Sequence, residues 1–365
     1  MTGFEPPMAL IAELTHRCPM RCPYCSNPIE LQRARQELGT DQWLRVISQA
    51  ADAGCMQIHF TGGEPLVRRD LETLVAAAAE CSLYSNLITS GIGLDRTRLP
   101  ALVSSGLEHV QVSFQHSERD LAEHLGGYRD ALSKKMAAAN LVREYGLPLT
   151  INFVVHRQNI RHASDMIALA ISLDAQRIEI ANVQFYGWAL RNRSALIPTR
   201  DELKELDEIV SSARIRLRGE ITIDYVAPDY YAERPKACMD GWGRRTLVIS
   251  PSGYVLPCHA AHSIAGMHFE NVRDGATIAE IWKSSQSFNQ YRGTEWMLEP
   301  CRSCDHRERD WGGCRCQAFA LTGDAAKTDP ACALSAHHAR LNQIGEKDAS
   351  SQTAAFVYRQ FSGMR

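Results

Sequence analysis

Apolar positions along the chain follow two periods in turn. Met8 to Leu14 is a near-continuous apolar run, fit for a strand buried on both faces. Asp41 to Ala53 then switches to helical spacing, with Trp43, Leu44, Ile47 and Ala50 or Ala51 on one face. The exchange repeats. Strands are expected at 56–60, 83–89, 109–114, 149–155 and 177–184. Helices are expected at 70–80, 95–105, 128–145, 160–173 and 201–213, several of them stopped by a glycine such as Gly106 or Gly146. Six strand–helix alternations imply a parallel sheet covered by helices.

A closed eight-unit barrel takes about 250 residues. The stretch from residue 8 to 215 is shorter, so it suits an α/β fold with a partial, TIM-like (β/α)6 barrel. A doubly wound open sheet is the competing architecture. In both, ligands gather at the carboxyl ends of the strands. Past residue 216 the pattern changes. A short strand is expected at 220–226. A hairpin follows at 246–250 and 254–257, turning on Pro251, Ser252 and Gly253. One helix is expected near 278–282, and the rest is rich in cysteine and poor in regular signals. The expected division is a barrel at 1–215, a cysteine-rich domain at 216–342 and a polar tail at 343–365. Phe356, Tyr358 and Phe361 are the tail residues able to pack back.

Composition narrows the class. The chain has 365 residues, 45% hydrophobic and 22% charged, enough for a sizeable core. Its formal net charge of −2 argues against a protein dedicated to coating nucleic acid. No apolar run reaches the length of a membrane span, and residues 1–8 lack the charged-then-apolar pattern of an export signal. A cytoplasmic protein with neither nucleic acid nor membrane as partner is expected.

Twelve cysteines change the picture. The even number permits disulfides, but disulfide density belongs to short secreted domains, and cytosolic thiols stay reduced. Three cysteines sit at 18, 22 and 25. Seven sit at 238, 258, 301, 304, 314, 316 and 332. Between these groups lie only Cys55 and Cys81, in apolar or helical context, which read as plain core residues. The partition points to two metal-binding regions separated by a scaffold. Cys18, Cys22 and Cys25 have C-x3-C-x2-C spacing on the loop after the first strand. Three thiolates there can hold three irons of a [4Fe–4S] cluster and leave the fourth open for chemistry. A zinc site completed by His16 is the alternative.

That triplet, with Tyr24 just before its third cysteine, resembles the radical S-adenosylmethionine (SAM) family. The resemblance implies that Cys18, Cys22 and Cys25 carry a catalytic [4Fe–4S] cluster. SAM would bind its open iron and be cleaved to a 5′-deoxyadenosyl radical. The stretch from Thr61 to Pro65 looks like the family's GGEP segment, so Gly62, Gly63 and Glu64 would hold the amino group of SAM. Thr89, Ser113 and Asn152, each near the carboxyl end of an expected strand, are further candidate contacts to the cofactor, as is Tyr24.

The second cysteine group resembles the SPASM extension of peptide-modifying members. Cys238, then Gly253 with Cys258 after four intervening residues, then Cys301, Cys304, Cys314 and Cys332 match its spacing. Where the pattern expects a cysteine, this chain has Asp310. The resemblance implies two auxiliary iron–sulfur clusters. Cys238, Cys258 and Cys314, with neighbouring Cys316, would hold one. Cys301, Cys304, Asp310 and Cys332 would hold the other, with His306 as a rival ligand, or with the position open to solvent or substrate. Structural zinc is the alternative, since C-x2-C is also its hallmark.

Within this group Pro28–Leu31, Gln184–Arg193 and the aspartate resemble the PqqE family of pyrroloquinoline quinone biosynthesis. That resemblance implies a precursor peptide, PqqA, in which a Glu and a Tyr become joined carbon to carbon. It also implies a peptide carrier, PqqD. An electron donor is expected besides, and the second cysteine group suggests an auxiliary cluster as electron acceptor. The alternatives are another SPASM peptide modifier, forming a thioether or formylglycine, and a non-catalytic zinc-binding module. A radical SAM enzyme acting on nucleic acid is disfavoured by the charge.

Overall fold

The computed structural model describes residues 5–351 and 355–360. Phe361 lies outside the described residues.

Seven strands run parallel in chain order: β1 (Ala9–Glu13), β2 (Gln57–Thr61), β3 (Tyr84–Thr89), β4 (His109–Phe114), β5 (Leu149–Val155), β6 (Arg177–Asn182) and β7 (Thr222–Val226). Helices Thr40–Asp52, Leu71–Glu80, Arg98–Ser104, Ala131–Glu144, Ala163–Ser172 and Arg200–Arg216 lie between successive strands. The partial barrel of six strand–helix units is therefore present. Each strand is short and largely buried, with Leu10, Ile58, Val110, Leu149 and Ile178 fully sequestered. The helices face them with apolar stripes. Trp43, Val46, Ile47 and Ala50 form the stripe of the first, at the spacing that puts them on one side.

The sheet does not stop at residue 215. β7 adds to β6 at one edge. At the other edge β8 (Thr246–Ile249) pairs parallel with β1, Ala9 opposite Thr246 and Ala12 opposite Ile249. The chain then turns back into the short antiparallel β9 (Val255–Leu256). The order is β7-β6-β5-β4-β3-β2-β1-β8-β9, open at both ends. The expected hairpin is thus part of the barrel's own sheet. Leu247, Val248 and Ile249 are all fully buried, and a strand apolar on both faces needs cover on both.

The expected helix at 128–145 is present as Ala131–Glu144, and a further helix, Arg119–Gly126, precedes it. Gly127 and Asp130, both at positive φ, break the turn between them. In the cysteine-rich region short helices form at Ile278–Ser284, Gln286–Asn289, Arg307–Asp310 and Arg315–Thr322. Thr277 and Glu280 close a reciprocal cap on the first. Helix His338–Ala349 runs across the expected start of the tail and buries Leu341, Gly345 and Ala349. Beyond it Phe356 and Tyr358 stack near His124. Among the described residues no helix is long and apolar enough to cross a membrane.

Candidate active site and metal centres

The loop after β1 crosses the carboxyl ends of the strands and faces a cavity of about 390 Å³. Cys18, Cys22, Tyr24, Cys25, Gly62, Gly63, Thr89 and Ser113 all line it. The ends of β1, β2, β3 and β4 thus deliver the expected residues to one space. Asn152 is not on the wall. Its amide donates to Glu179 Oε2 at 3.1 Å, and Glu179 is the residue that faces the cavity. Glu64 is completely buried behind the wall. It accepts from Thr89 Oγ1 (2.6 Å), Ser90 N (2.7 Å), Ser90 Oγ (2.5 Å) and Leu66 N (3.1 Å). Burial pushes its pKa up while those four donors pull it back. Here Glu64 binds the end of β3 to the end of β2.

The glycines of Gly62-Gly63 have a purpose that motif reading did not supply. A Cβ on Gly62 would stand 2.4 Å from the Thr15 carbonyl oxygen, and one on Gly63 2.3 Å from that of Arg17. Bare backbone lets the two loops touch, and Gly63 N and Glu64 N donate to Thr15 O (2.5 Å) and Arg17 O (2.8 Å). From the other side the segment after β6 clamps the cysteine loop. Ala189 N donates to Cys25 O, Trp188 Nε1 to Pro28 O and Asn192 Nδ2 to Pro23 O. A Cβ on Gly187 would stand 2.1 Å from Asn27 O.

All twelve thiols are free of disulfides. In the triplet, burial pushes every thiol up, Cys22 to about 11. Crowded, desolvated thiols need a cation to ionise, which suits a bound iron cluster. Several residues of this site escaped the sequence reading. Lys135 is fully buried and donates to Ser90 O and Ser113 O, both at 2.7 Å. Burial pulls its pKa down to about 8. Its signal was present: it is the charged residue on a helix face otherwise built of Ala131, Ala138, Ala139 and Val142. Tyr24 bonds Gln115 and Cys22 and lies 5.1 Å from the ring of His156. Tyr186 lines the cavity, bonds Ser26, and packs on the side of Cys258. Arg359 comes to the wall from the far end of the chain.

The second cysteine group resolves into two sites. The sulfurs of Cys238, Cys258, Cys316 and Cys314 lie within hydrogen-bonding reach of one another round a closed ring. Four sulfurs in a ring suit an iron–sulfur cluster with no open position. Next to the ring, His259 Nδ1 meets Glu13 Oε1 at 2.5 Å, tying it to the end of β1. Cys301, Cys304, Asp310 and Cys332 line a second, much smaller space. One carboxylate oxygen of Asp310 accepts from Gly312 N at 2.9 Å, and a carboxylate is a ligand type that iron accepts. His306 is not among the residues lining that space. Asp329, fully buried, stands between the two sites and accepts from Cys314 N, Gln317 Nε2 and Ala331 N. Cys55 is buried and Cys81 half-buried, both packed in or against the main core.

One other group brings ligand types together. His116, Glu118 and His162 place possible ligand atoms within 4.8 Å of one another. However, His116 Nδ1 accepts from Glu118 N at 2.9 Å. A neutral ring then carries its proton on Nε2, and neither nitrogen has a lone pair free for metal.

Comparison with known proteins agrees with this geometry. Residues 12–170 match the radical SAM superfamily, and residues 238–305 match an iron–sulfur cluster-binding domain, SPASM. The PqqA peptide cyclase of Rhodopseudomonas palustris is 57% identical over 99% of this chain and 96% of its own. That of Bradyrhizobium diazoefficiens is 56% identical over 99% and 95%. Among solved structures, Streptococcus suis SuiB bound to S-adenosylmethionine superposes with a TM-score of 0.74 at 20% identity, over 89% of this chain and 77% of that one. At that identity the likeness concerns the fold. The protein is an enzyme that binds an iron–sulfur cluster and SAM. The chain belongs to the radical SAM/SPASM family of PqqA peptide cyclases.

Proposed function

We propose that the protein acts on the PqqA precursor peptide in pyrroloquinoline quinone biosynthesis, joining a glutamate γ-carbon to a tyrosine ring. The observation that carries this reading is the identity of 57% over 99% of the chain to a PqqA peptide cyclase, spanning both cysteine regions. The reaction forms one carbon–carbon bond and removes two hydrogens. The glutamate γ-hydrogen lies beyond the reach of an acid or base at neutral pH, so the cofactor must supply that chemistry. When bound, the cluster and SAM supply a radical that takes hydrogen from carbon.

The chain's own residues position and shield. Cys18, Cys22 and Cys25 hold the cluster. Gly62 and Gly63 present backbone to SAM. Thr89 and Ser113 contact it, and Asn152 acts through Glu179. Lys135 fixes the carbonyls of Ser90 and Ser113 beneath the cavity. The second hydrogen leaves the ring as a proton, and its electron needs an acceptor. Two auxiliary sites are assigned. Cys238, Cys258, Cys314 and Cys316 make one, and Cys301, Cys304, Asp310 and Cys332 the other. The packing of Tyr186 between the SAM cavity and Cys258 supports the first as the nearer acceptor. Residues 1–215 and 216–342 divide the labour rather than the sheet. The carrier PqqD presents the peptide, a cytoplasmic reductant supplies electrons, and the free thiols fit that compartment.

The test is anaerobic. Reconstituted protein is reduced and mixed with SAM, PqqA and PqqD. 5′-Deoxyadenosine is expected, with a PqqA product lighter by two hydrogens whose fragments place the link between Glu and Tyr. A thioether or aldehyde product, or no 5′-deoxyadenosine from iron-replete protein, overturns the reading.

A further inference from the structure

Glu179 lies on the inward face of the sheet, one layer beneath the rim. Side chains two apart on a strand share a face. Gln111, Asn152 and Glu179 therefore sit below Ser113, Val154 and Ala181, which line the cavity. Gln111 Nε2 and Asn152 Nδ2 donate to the same oxygen of Glu179, Oε2, at 3.0 and 3.1 Å. Two amides from β4 and β5 thus fix a carboxylate on β6. Its other oxygen, Oε1, receives no hydrogen bond among the described residues, and Glu179 forms no ion pair among them. Asp224, its register partner on β7, is paired with Arg177.

Of Gln111, Asn152 and Glu179, only Glu179 reaches the cavity, and it is the one carboxylate among the described residues that line it. Above it the strand ends are apolar. Val154, Ala181 and Val226 are register partners across β5, β6 and β7, and all three line the cavity. An apolar ledge over a fixed acceptor suits an aromatic ring that carries a hydroxyl donor. It does not suit a second carboxylate, which the first would repel. Of the two side chains in the cross-linking reaction, this seat fits the tyrosine and disfavours the glutamate. The cysteine loop follows β1 and Gly62-Gly63 follows β2, so the cofactor and Glu179 border the cavity from different strands.

We propose that Glu179 is a substrate-binding residue that seats the tyrosine of the precursor peptide, a role that rests on the cross-linking reading above. The ring lies on Val154, Ala181 and Val226, and its hydroxyl donates to Glu179 Oε1. Asn152 and Gln111 act through Glu179 by holding that oxygen in place, which fixes the ring edge offered to the glutamate carbon.

The test is a cycle of one enzyme change and one peptide change. Peptide binding is measured by calorimetry on reconstituted, unreduced protein holding SAM, with PqqD present. The probes are PqqA and PqqA whose reacting tyrosine is replaced by phenylalanine. Wild type should bind the tyrosine form about tenfold more tightly. Glu179→Gln keeps the shape and leaves an oxygen for Gln111 and Asn152, but turns an amide donor toward the ring. Its preference should shrink to about twofold or less. After reduction, the cross-link formed per 5′-deoxyadenosine should fall in the variant, because a ring free to turn is presented less often. Equal binding of the two peptides by wild type overturns the proposal without recourse to any variant. An unchanged preference in Glu179→Gln also overturns it, as does a loss that falls on SAM affinity alone, which would give Glu179 to the cofactor. A wild type that prefers the tyrosine peptide yet makes no Glu–Tyr link would instead refute the reaction reading.

Discussion

The Cys18–Cys25 loop and the Cys238–Cys258–Cys316–Cys314 ring use the same ligand atom to opposite ends. The loop gathers its three sulfurs from one short stretch of chain and turns them toward a cavity of about 390 Å³. The ring gathers four sulfurs from three separate stretches and turns them toward each other. An open position suits a cluster that must bind a second molecule, and a closed ring suits one that takes up or passes on electrons. The loop is held by backbone contacts from β2 and from the segment after β6. The ring hangs on short helices and loops, where a bound metal would supply stability that a small core lacks.

Cys22→Ser should have the largest effect, removing SAM cleavage altogether, with anaerobic 5′-deoxyadenosine formation as the measurement. Residual cleavage in this variant would mean that the loop is not the open site. Cys258→Ser should lower iron per chain and abolish the peptide product while SAM cleavage persists. If SAM cleavage disappears as well, the two regions are not separable and the contrast breaks. Gly63→Ala would drive a Cβ to 2.3 Å from a backbone oxygen that cannot yield. A loss of about 3 kcal/mol in urea unfolding is expected, with weaker SAM binding and normal iron at the ring.

A pH effect sharpens the contrast further. His156, behind Tyr24, is held neutral, its pKa pulled from 6.5 to about 3 by burial and then by His116. The unfolded chain takes up that proton below pH 6.5 and the folded chain does not. The stability it contributes is present above pH 6.5 and is lost as the pH falls toward 3. His156→Gln should flatten the dependence of the urea midpoint between pH 6.5 and 4, and an unchanged slope would place the acid sensitivity elsewhere. Smallest of all, Cys81→Ser should leave iron content and activity unchanged and stability within about 0.5 kcal/mol. Loss of iron there would undo the separation of core thiols from ligands.

Much of the molecule was legible before any coordinates. The six strand–helix units followed from alternating periods, because a buried parallel strand and an amphipathic helix leave different marks. The triplet and the GGEP segment were legible because their partners are close in sequence or at the next strand end. Lys135 was legible in principle, as a charge on an alanine-lined stripe, and was passed over. Other features were not legible. Nothing in Leu247, Val248 and Ile249 says that this strand joins the free edge of β1, since edge choice is a property of the whole sheet. Glu64 was expected to face the cofactor, yet the hydroxyls of Thr89 and Ser90 draw it behind the wall. Asn152 sits at the right strand end but is turned to Glu179.

By itself the sequence determined the family, the six-unit barrel and which ten cysteines could serve as ligands. Those properties rest on local spacing, because thiols a few residues apart must share a loop and apolar period must follow secondary structure. Only the tertiary structure decided that β8 joins the free edge of β1, that Asp310 and not His306 lines the space with Cys301, Cys304 and Cys332, and that Arg359 reaches the cavity wall beside the Cys18–Cys25 loop. Those outcomes depend on contacts between segments tens to hundreds of residues apart, and chain packing, not spacing, brings such segments together.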